Sequence, residues 1–242
     1  MSEVLLGLGL VLLAYLAGSL SPSVILGRAL KGIDLREHGS GNPGTTNAFR
    51  VLGTWLGLLV FAADLLKGFL PVLLARYVAG PWVTVLVAMA AILGHNWSLF
   101  LRGRGGKGVA TGAGVVLAMM PLTLVLLLAV FFAVFAATRF VSLASITATA
   151  LFPVLAVAFD QPQAYLAFSM AGSALVIAAH HANIRRLLRG EERRAVLPGR
   201  IRRGHRRGQA HPEESRPPGQ PRGSAPGMAA DRPLNHGEGK SQ

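Results

Sequence analysis

Five long apolar runs constrain this chain more than any other feature: residues 4–30, 51–79, 81–101, 109–138 and 140–179. Each reaches the ~20 consecutive apolar residues that can span a hydrocarbon core. Composition agrees, with 52% hydrophobic and only 14% charged residues, where a soluble domain carries about 25% charged. The chain therefore reads as an all-α integral membrane protein. Its first run is too long for a signal peptide, and Glu3 precedes it where a signal would place basic residues. With no cysteine, disulfides, thiolate metal sites and Cys nucleophiles are excluded.

Two runs carry internal turn signals. Met119, Met120 and Pro121 interrupt one, and Asp160, Gln161 and Pro162 interrupt another. Splitting both gives seven spans, the preferred count; splitting neither gives five. Either odd number puts the termini on opposite faces. Short basic segments at residues 28–50, 102–107 and 185–194 share one side in both counts, and the positive-inside rule makes that side cytoplasmic. The N-terminus is then outside and the C-terminus cytoplasmic. Arg139 joins the basic side only in the seven-span arrangement.

The formal net charge is +13, and residues 193–242 hold almost half of the Lys and Arg. That stretch is rich in Arg, Pro, Gly, Gln and His, too polar to offset its ordering entropy, so it is expected to be a disordered basic tail. Without interleaved aromatics for base stacking, no nucleic-acid partner is expected. The chain thus divides into a membrane domain, residues 1–192, and a tail, residues 193–242.

Three polar segments on the basic side hold the chemistry. Residues 39–50 run Gly-Ser-Gly-Asn-Pro-Gly-Thr-Thr-Asn-Ala-Phe-Arg: glycines allow close backbone approach, and Arg50 offers a guanidinium suited to phosphate. Residues 94–108 contain His95 and then Arg102, Arg104 and Lys107 interleaved with four glycines before a helix start. Exposed N–H groups at such a start, with a Lys, make an anion cradle. Lys107 is followed by Gly108 rather than Ser or Thr, so this is no Walker A loop. In residues 180–192, His180, Asn183 and Arg186 fall on one helical row. Within the second run, Asp64 and Lys67 stand at i,i+3, a spacing that suits a structural ion pair. The three segments together are rich in phosphate-binding groups and lack a Gly-x-Ser-x-Gly elbow, an H-x4-D acyltransferase pattern and a carboxylate cluster for two metals. Direct transfer between two bound anions, driven by positioning and charge stabilisation, fits what remains.

These segments, with Asp64-Leu-Leu-Lys67-Gly68, closely resemble the bacterial acyl-phosphate:glycerol-3-phosphate acyltransferase family, PlsY, over residues 1–192. The resemblance implies a compact seven-helix enzyme of the bacterial plasma membrane with its active site toward the cytoplasm. It implies acyl transfer from acyl phosphate to the 1-hydroxyl of sn-glycerol 3-phosphate, giving lysophosphatidic acid and inorganic phosphate, without metal or other cofactor. The lipid bilayer and the acyl-phosphate-producing enzyme are the implied partners. Position by position, the catalytic residues fall on Ser40, Arg50, Lys107, His180 and Asn183. Substrate binding falls on Gly39, Gly41, Asn42, Thr46, Asn47, His95, Gly103, Gly105, Gly106, Gly108 and Glu192. The amides of residues 103–108 would cradle the acyl phosphate. The hydroxyl proton would pass to His180 or to a substrate phosphate oxygen. Thr45 stands where members of that family often carry Ala. The competing reading is a small anion transporter, which would be expected to show repeated halves; no motif here has a second copy. A third class, a scaffold acting through the tail, would lose its function on deletion after Gly199.

Overall fold

The computed structural model describes residues 1–195; the predicted tail lies outside the described residues from 196 onward. The described chain is helical throughout: α1 (Ser2–Ser19), α2 (Pro22–Lys31), a 3-10 turn (Leu35–Glu37), α3 (Thr45–Leu52), α4 (Thr54–Val78), α5 (Pro81–Asn96), a second 3-10 turn (Leu99–Leu101), α6 (Val109–Met119), α7 (Pro121–Thr138), α8 (Val141–Ala158), α9 (Gln163–Ala179) and α10 (His181–Leu188).

By length and composition, five segments can cross a membrane: α1, α4, α5 with its following turn, α7 and α8. The pair α9 and α10, bent by 59°, supplies a sixth if counted as one span. Both expected turns occur, since α6 ends at Met119 before Pro121 and α8 ends at Ala158 before Pro162. The first run differs from expectation. Instead of one helix over residues 4–30, the chain breaks at Leu20 and Ser21, and α2 begins at Pro22, whose ring cannot continue the preceding helix. Arg28 and Lys31 then occupy the last turn of α2, where cations favour the helix C-terminus. Gly32 ends that helix with φ 65°. The 11 residues of α6 span only ~16 Å at 1.5 Å per residue, short of a full crossing.

Glycine lets two helix pairs approach backbone to backbone. A methyl group on Gly68 would run into the Thr111 carbonyl, and one on Gly114 into the Leu65 carbonyl, locking α4 against α6. Gly18 against Ala91 and Gly94 against Tyr15 do the same for α1 and α5. In lipid, where helices gain little from hiding apolar surface from each other, such close packing is a principal source of association. Between these pairs lies the main core, with Val72, Val87, Ala88, Ile92, Val115 and Phe168 buried.

Candidate active site

The first loop is shaped by a buried asparagine. Asn47, 1% exposed, opens its amide to three partners: its Oδ1 accepts from the Ser40 N–H at 2.9 Å, and its Nδ2 donates to the carbonyls of Leu35 (3.2 Å) and His38 (2.9 Å). Gly39 and Gly41 take φ 65° and 71° on either side of Ser40, a conformation that costs glycine little. A methyl group on Gly39 would also strike the Asn47 side chain. Ser40 is thereby presented on an exposed turn, and Asn42 N–H approaches its Oγ at 3.5 Å. Asn47, expected to touch substrate, instead spends its hydrogen bonds holding the loop. Thr46 and Arg50 project from α3 and are exposed. A little upstream, Arg36 beside Asp34 holds that carboxyl far below the usual carboxylate range against the effect of burial, with Arg28 assisting.

The glycine-rich loop is more internally committed than expected. Gly103 N–H donates to Ser98 O (2.8 Å), Arg104 to Leu101 O (3.2 Å), Gly105 to Asn96 O (3.1 Å) and Gly106 to His95 O (3.0 Å). These four amides are therefore unavailable as the anion cradle. Among the described residues, the N–H groups of Lys107, Gly108, Val109, Ala110 and Thr111 have no acceptor, and Gly112 N–H is the first to join the helix ladder through Gly108 O. The open donors thus gather at the start of α6, with the helix dipole behind them. His95, expected to bind substrate, lies beneath the loop at 6% exposure. A methyl group on Gly106 would collide with its Nε2.

The third segment bends at His180 rather than leaving as one straight helix. His180 is buried, and its Nδ1 lies 2.8 Å from Val176 O. A carbonyl oxygen can only accept, so Nδ1 carries the proton and, in the neutral ring, Nε2 keeps its lone pair. Three residues on, Asn183 Oδ1 accepts from Lys107 Nζ, while Asn183 Nδ2 donates to Glu192 Oε1 at 2.6 Å. Ser142 Oγ donates to the same Oε1 and Arg186 Nε to Oε2, both at 2.7 Å. Glu192 is thus a hub that orients Asn183. Burial pushes its carboxyl up, but the three donated hydrogen bonds outweigh that and hold it below its usual range.

Lys107, Asn183, Arg186 and Glu192 consequently form one connected row, and Arg50 lies close enough for its charge to act on Lys107. Burial above all, then Arg186 and Arg50, lower the Lys107 ammonium from 10.5 to about 8, against the opposing pull of Glu192. The first loop joins this row through a residue that sequence reasoning placed in the tail: Arg193 Nη1 donates to Gly39 O at 3.3 Å. Arg194 lies over the Phe140 ring, and Ala195 N–H donates to Arg139 O at 2.9 Å. Ser142 and Arg193 were missed because neither stands in a motif; their partners are set by packing alone. Ser142 and Arg139 flank the α7–α8 turn, so that turn sits at the same end of the molecule as α10.

Below the loops, Asp64 and Lys67 form the expected ion pair, 2.7 Å apart, with Lys67 also donating to Leu20 O at 2.6 Å. An apolar cavity begins at Gly108 and Val109 and passes between α6, α7, α8 and α9, lined by Val116, Leu127, Phe152 and Val176. Among the described residues no cluster of three His, Asp or Glu gathers as a metal site would require.

Residues 8–190 match the family model described as glycerol-3-phosphate acyltransferase. The chain is 47% identical to glycerol-3-phosphate acyltransferase 2 of Moorella thermoacetica, over 75% of this chain and 94% of the relative. It is 46% identical to the glycerol-3-phosphate acyltransferase of Rubrobacter xylanophilus, over 76% and 93%. The crystal structure of PlsY, an integral membrane glycerol 3-phosphate acyltransferase, in its glycerol 3-phosphate form superposes with a TM-score of 0.76 at 43% identity, covering 78% of this chain and 96% of that one. Its lysophosphatidic acid form gives 0.74 at 42% identity, over 78% and 95%.

Proposed function

The chain belongs to the glycerol-3-phosphate acyltransferase family, and from that premise we propose that it moves a fatty acyl group from acyl phosphate to the 1-hydroxyl of sn-glycerol 3-phosphate. The products are lysophosphatidic acid and inorganic phosphate. The observation that carries this reading is the junction of Lys107 with Asn183 beside Arg50, Arg186 and the open amides of α6. Such a group of cations and N–H donors suits two phosphates bound side by side, which is what direct transfer between two anionic substrates requires.

In this mechanism Lys107 and Arg50 hold phosphate charge, and the N–H groups from Lys107 to Thr111 receive the acyl phosphate. Ser40 and Asn183 orient the glycerol hydroxyl. His180 Nε2, left as an acceptor by the bond from Nδ1 to Val176 O, takes a hydrogen bond from that hydroxyl. The hydroxyl oxygen forms the ester bond to the acyl carbon as the carbon–oxygen bond to phosphate breaks. Its proton ends on the released phosphate, directly or by way of His180. Gly39, Gly41, Asn42 and Thr46 border the substrate on the first loop, while His95, Gly103, Gly105, Gly106, Asn47 and Glu192 support the groups that touch it. The cavity lined by Gly108 suits the acyl chain, because it is apolar and shares Gly108 and Val109 with the phosphate donors.

The enzyme is read as a multi-pass protein of the bacterial plasma membrane with this site facing the cytoplasm. Seven membrane segments are supported over five by the bonds from Ser142 to Glu192 and from Ala195 to Arg139: they return the α7–α8 turn to the loop side, as an inward segment by the short α6 and a return by α7 require. The acyl-phosphate-producing enzyme is the proposed supplier of substrate. Purified protein given palmitoyl phosphate and glycerol 3-phosphate, without coenzyme A or added metal, should release phosphate and form lysophosphatidic acid in equal amounts. Failure to do so, with acylation instead from an acyl thioester, refutes the donor assignment.

A further inference from the structure

Beneath the two anion-binding loops lies a set of buried charged and polar groups that the transfer reaction does not itself use. Asp64 is 1% exposed, and its two oxygens face in different directions. Oδ2 accepts from the Thr45 hydroxyl at 3.3 Å. Oδ1 lies 2.7 Å from Lys67 Nζ and 3.6 Å from His95 Nδ1. Thr45 is the first residue of α3, the helix that carries Asn47, which shapes the Ser40 turn, and Arg50. His95 lies under Gly106, one residue before Lys107, and its carbonyl accepts the Gly106 N–H. The carboxylate therefore bonds the support of the first loop and stands beside the support of the second; the other contacts join these loops only by way of the third segment, through Arg193 to Gly39 and Asn183 to Lys107.

We infer that Asp64 is a positioning residue that sets the distance between the Arg50 loop and the Lys107 loop, with the Thr45 hydroxyl as its handle on α3. A buried charge suits this task, because the Lys67 ion pair and the Thr45 hydroxyl hold it, the His95 ring stands 3.6 Å away, beyond hydrogen-bond length, and there is no solvent-facing conformation to relax into. Its effect reaches substrate only through Arg50 and Lys107. Displacing either support by even a fraction of an ångström spoils a geometry that must grip two phosphates together.

This inference rests on the functional reading above, and the experiment separates the two. Asp64→Asn removes the charge but leaves Lys67 unpaired, so it can fail to fold; Thr45→Ala removes one hydroxyl and leaves the ion pair intact. The full chain in detergent, as parent, Thr45→Ala, Thr45→Ser, Asp64→Asn and Thr45→Ala with Asp64→Asn, is assayed for glycerol 3-phosphate binding by calorimetry, for kcat and KM, and for thermal midpoint. Thr45→Ala should weaken glycerol 3-phosphate binding threefold or more at an unchanged midpoint, and Thr45→Ser should restore it. Wherever Asp64→Asn folds, Thr45→Ala should add nothing further to it. Binding by Thr45→Ala equal to the parent's overturns the inference, as does an effect that Thr45→Ser fails to rescue. A parent that binds glycerol 3-phosphate but releases no phosphate from acyl phosphate overturns the functional reading alone, since the binding comparison still tests Asp64.

Discussion

The Lys107 ammonium donates a hydrogen bond to the Asn183 amide oxygen, joining residues 76 positions apart. Through Asn183 the lysine is tied to Glu192, and through Glu192 to Arg186 and Ser142. One cation of the site is therefore aimed by a chain of neutral and acidic groups before any substrate arrives.

Lys107 should make the reaction sensitive to alkaline pH. Its ammonium is lowered to about 8, so the charge that grips phosphate is present below that value and lost above it. Binding a phosphate favours the charged form and raises the value again. The alkaline limb of kcat/KM for glycerol 3-phosphate should thus fall near pH 8, and that of kcat at saturation should lie higher. Lys107→Arg should remove both limbs from the measurable range, because guanidinium stays charged. Coincident limbs in the parent, or an unchanged profile in Lys107→Arg, would show that another group titrates.

Arg50→Ala and Lys107→Ala should each delete a charge-assisted contact worth roughly 1.5–3 kcal/mol, lowering kcat/KM at least tenfold. Arg50 is exposed, so its loss should leave the thermal midpoint of the purified protein within a degree or two of the parent's. Full activity in both variants contradicts the phosphate-site assignment.

Glu192→Gln keeps the size of the side chain but exchanges one acceptor oxygen for an N–H donor, which can no longer serve both Arg186 and the pair Asn183 and Ser142. Asn183 should lose its orientation, and kcat should drop about tenfold, as a partly unsatisfied polar network costs more than a neutral one. If Glu192 acts through Asn183 as proposed, KM for the acyl donor should change less than kcat. Steady-state kinetics with both substrates varied distinguishes these.

Gly106→Ala should be inactive or poorly folded, since the added methyl group meets the His95 ring, and overpacking of this kind costs about 1–3 kcal/mol. Shrinking the obstacle, in Gly106→Ala with His95→Ala, should recover part of the thermal stability lost by Gly106→Ala alone. No recovery would mean that the glycine is needed for substrate approach rather than for seating on His95.

Ser40→Ala should slow turnover without any acyl-enzyme forming in the parent. Intact-mass measurement after mixing with palmitoyl phosphate alone checks this; a protein heavier by one acyl group, lost in Ser40→Ala, would replace direct transfer with a covalent route.

Much of this enzyme is determined by its sequence alone. Apolar runs of bilayer length require membrane helices because unpaired backbone groups cannot be tolerated in lipid. Pro121 and Pro162 mark helix starts, where a fixed φ and a missing N–H cost little, while Pro71 and Pro153 sit inside α4 and α8 without ending them. Basic residues beside the three polar segments assign those segments to one face, and their residue types already call for phosphate. Only the tertiary structure decided which groups remain free to act. It spends the amides of Gly103 to Gly106 on carbonyls of α5 and the turns after it, and turns Asn47 inward as a clamp. His95 goes beneath the loop, and Arg193 is brought to Gly39 from beyond the last motif. These choices depend on where distant carbonyls and side chains end up in space. A hydrogen bond to a backbone acceptor leaves no mark on residue identity, so the same letters fit a donor facing substrate and a donor already occupied.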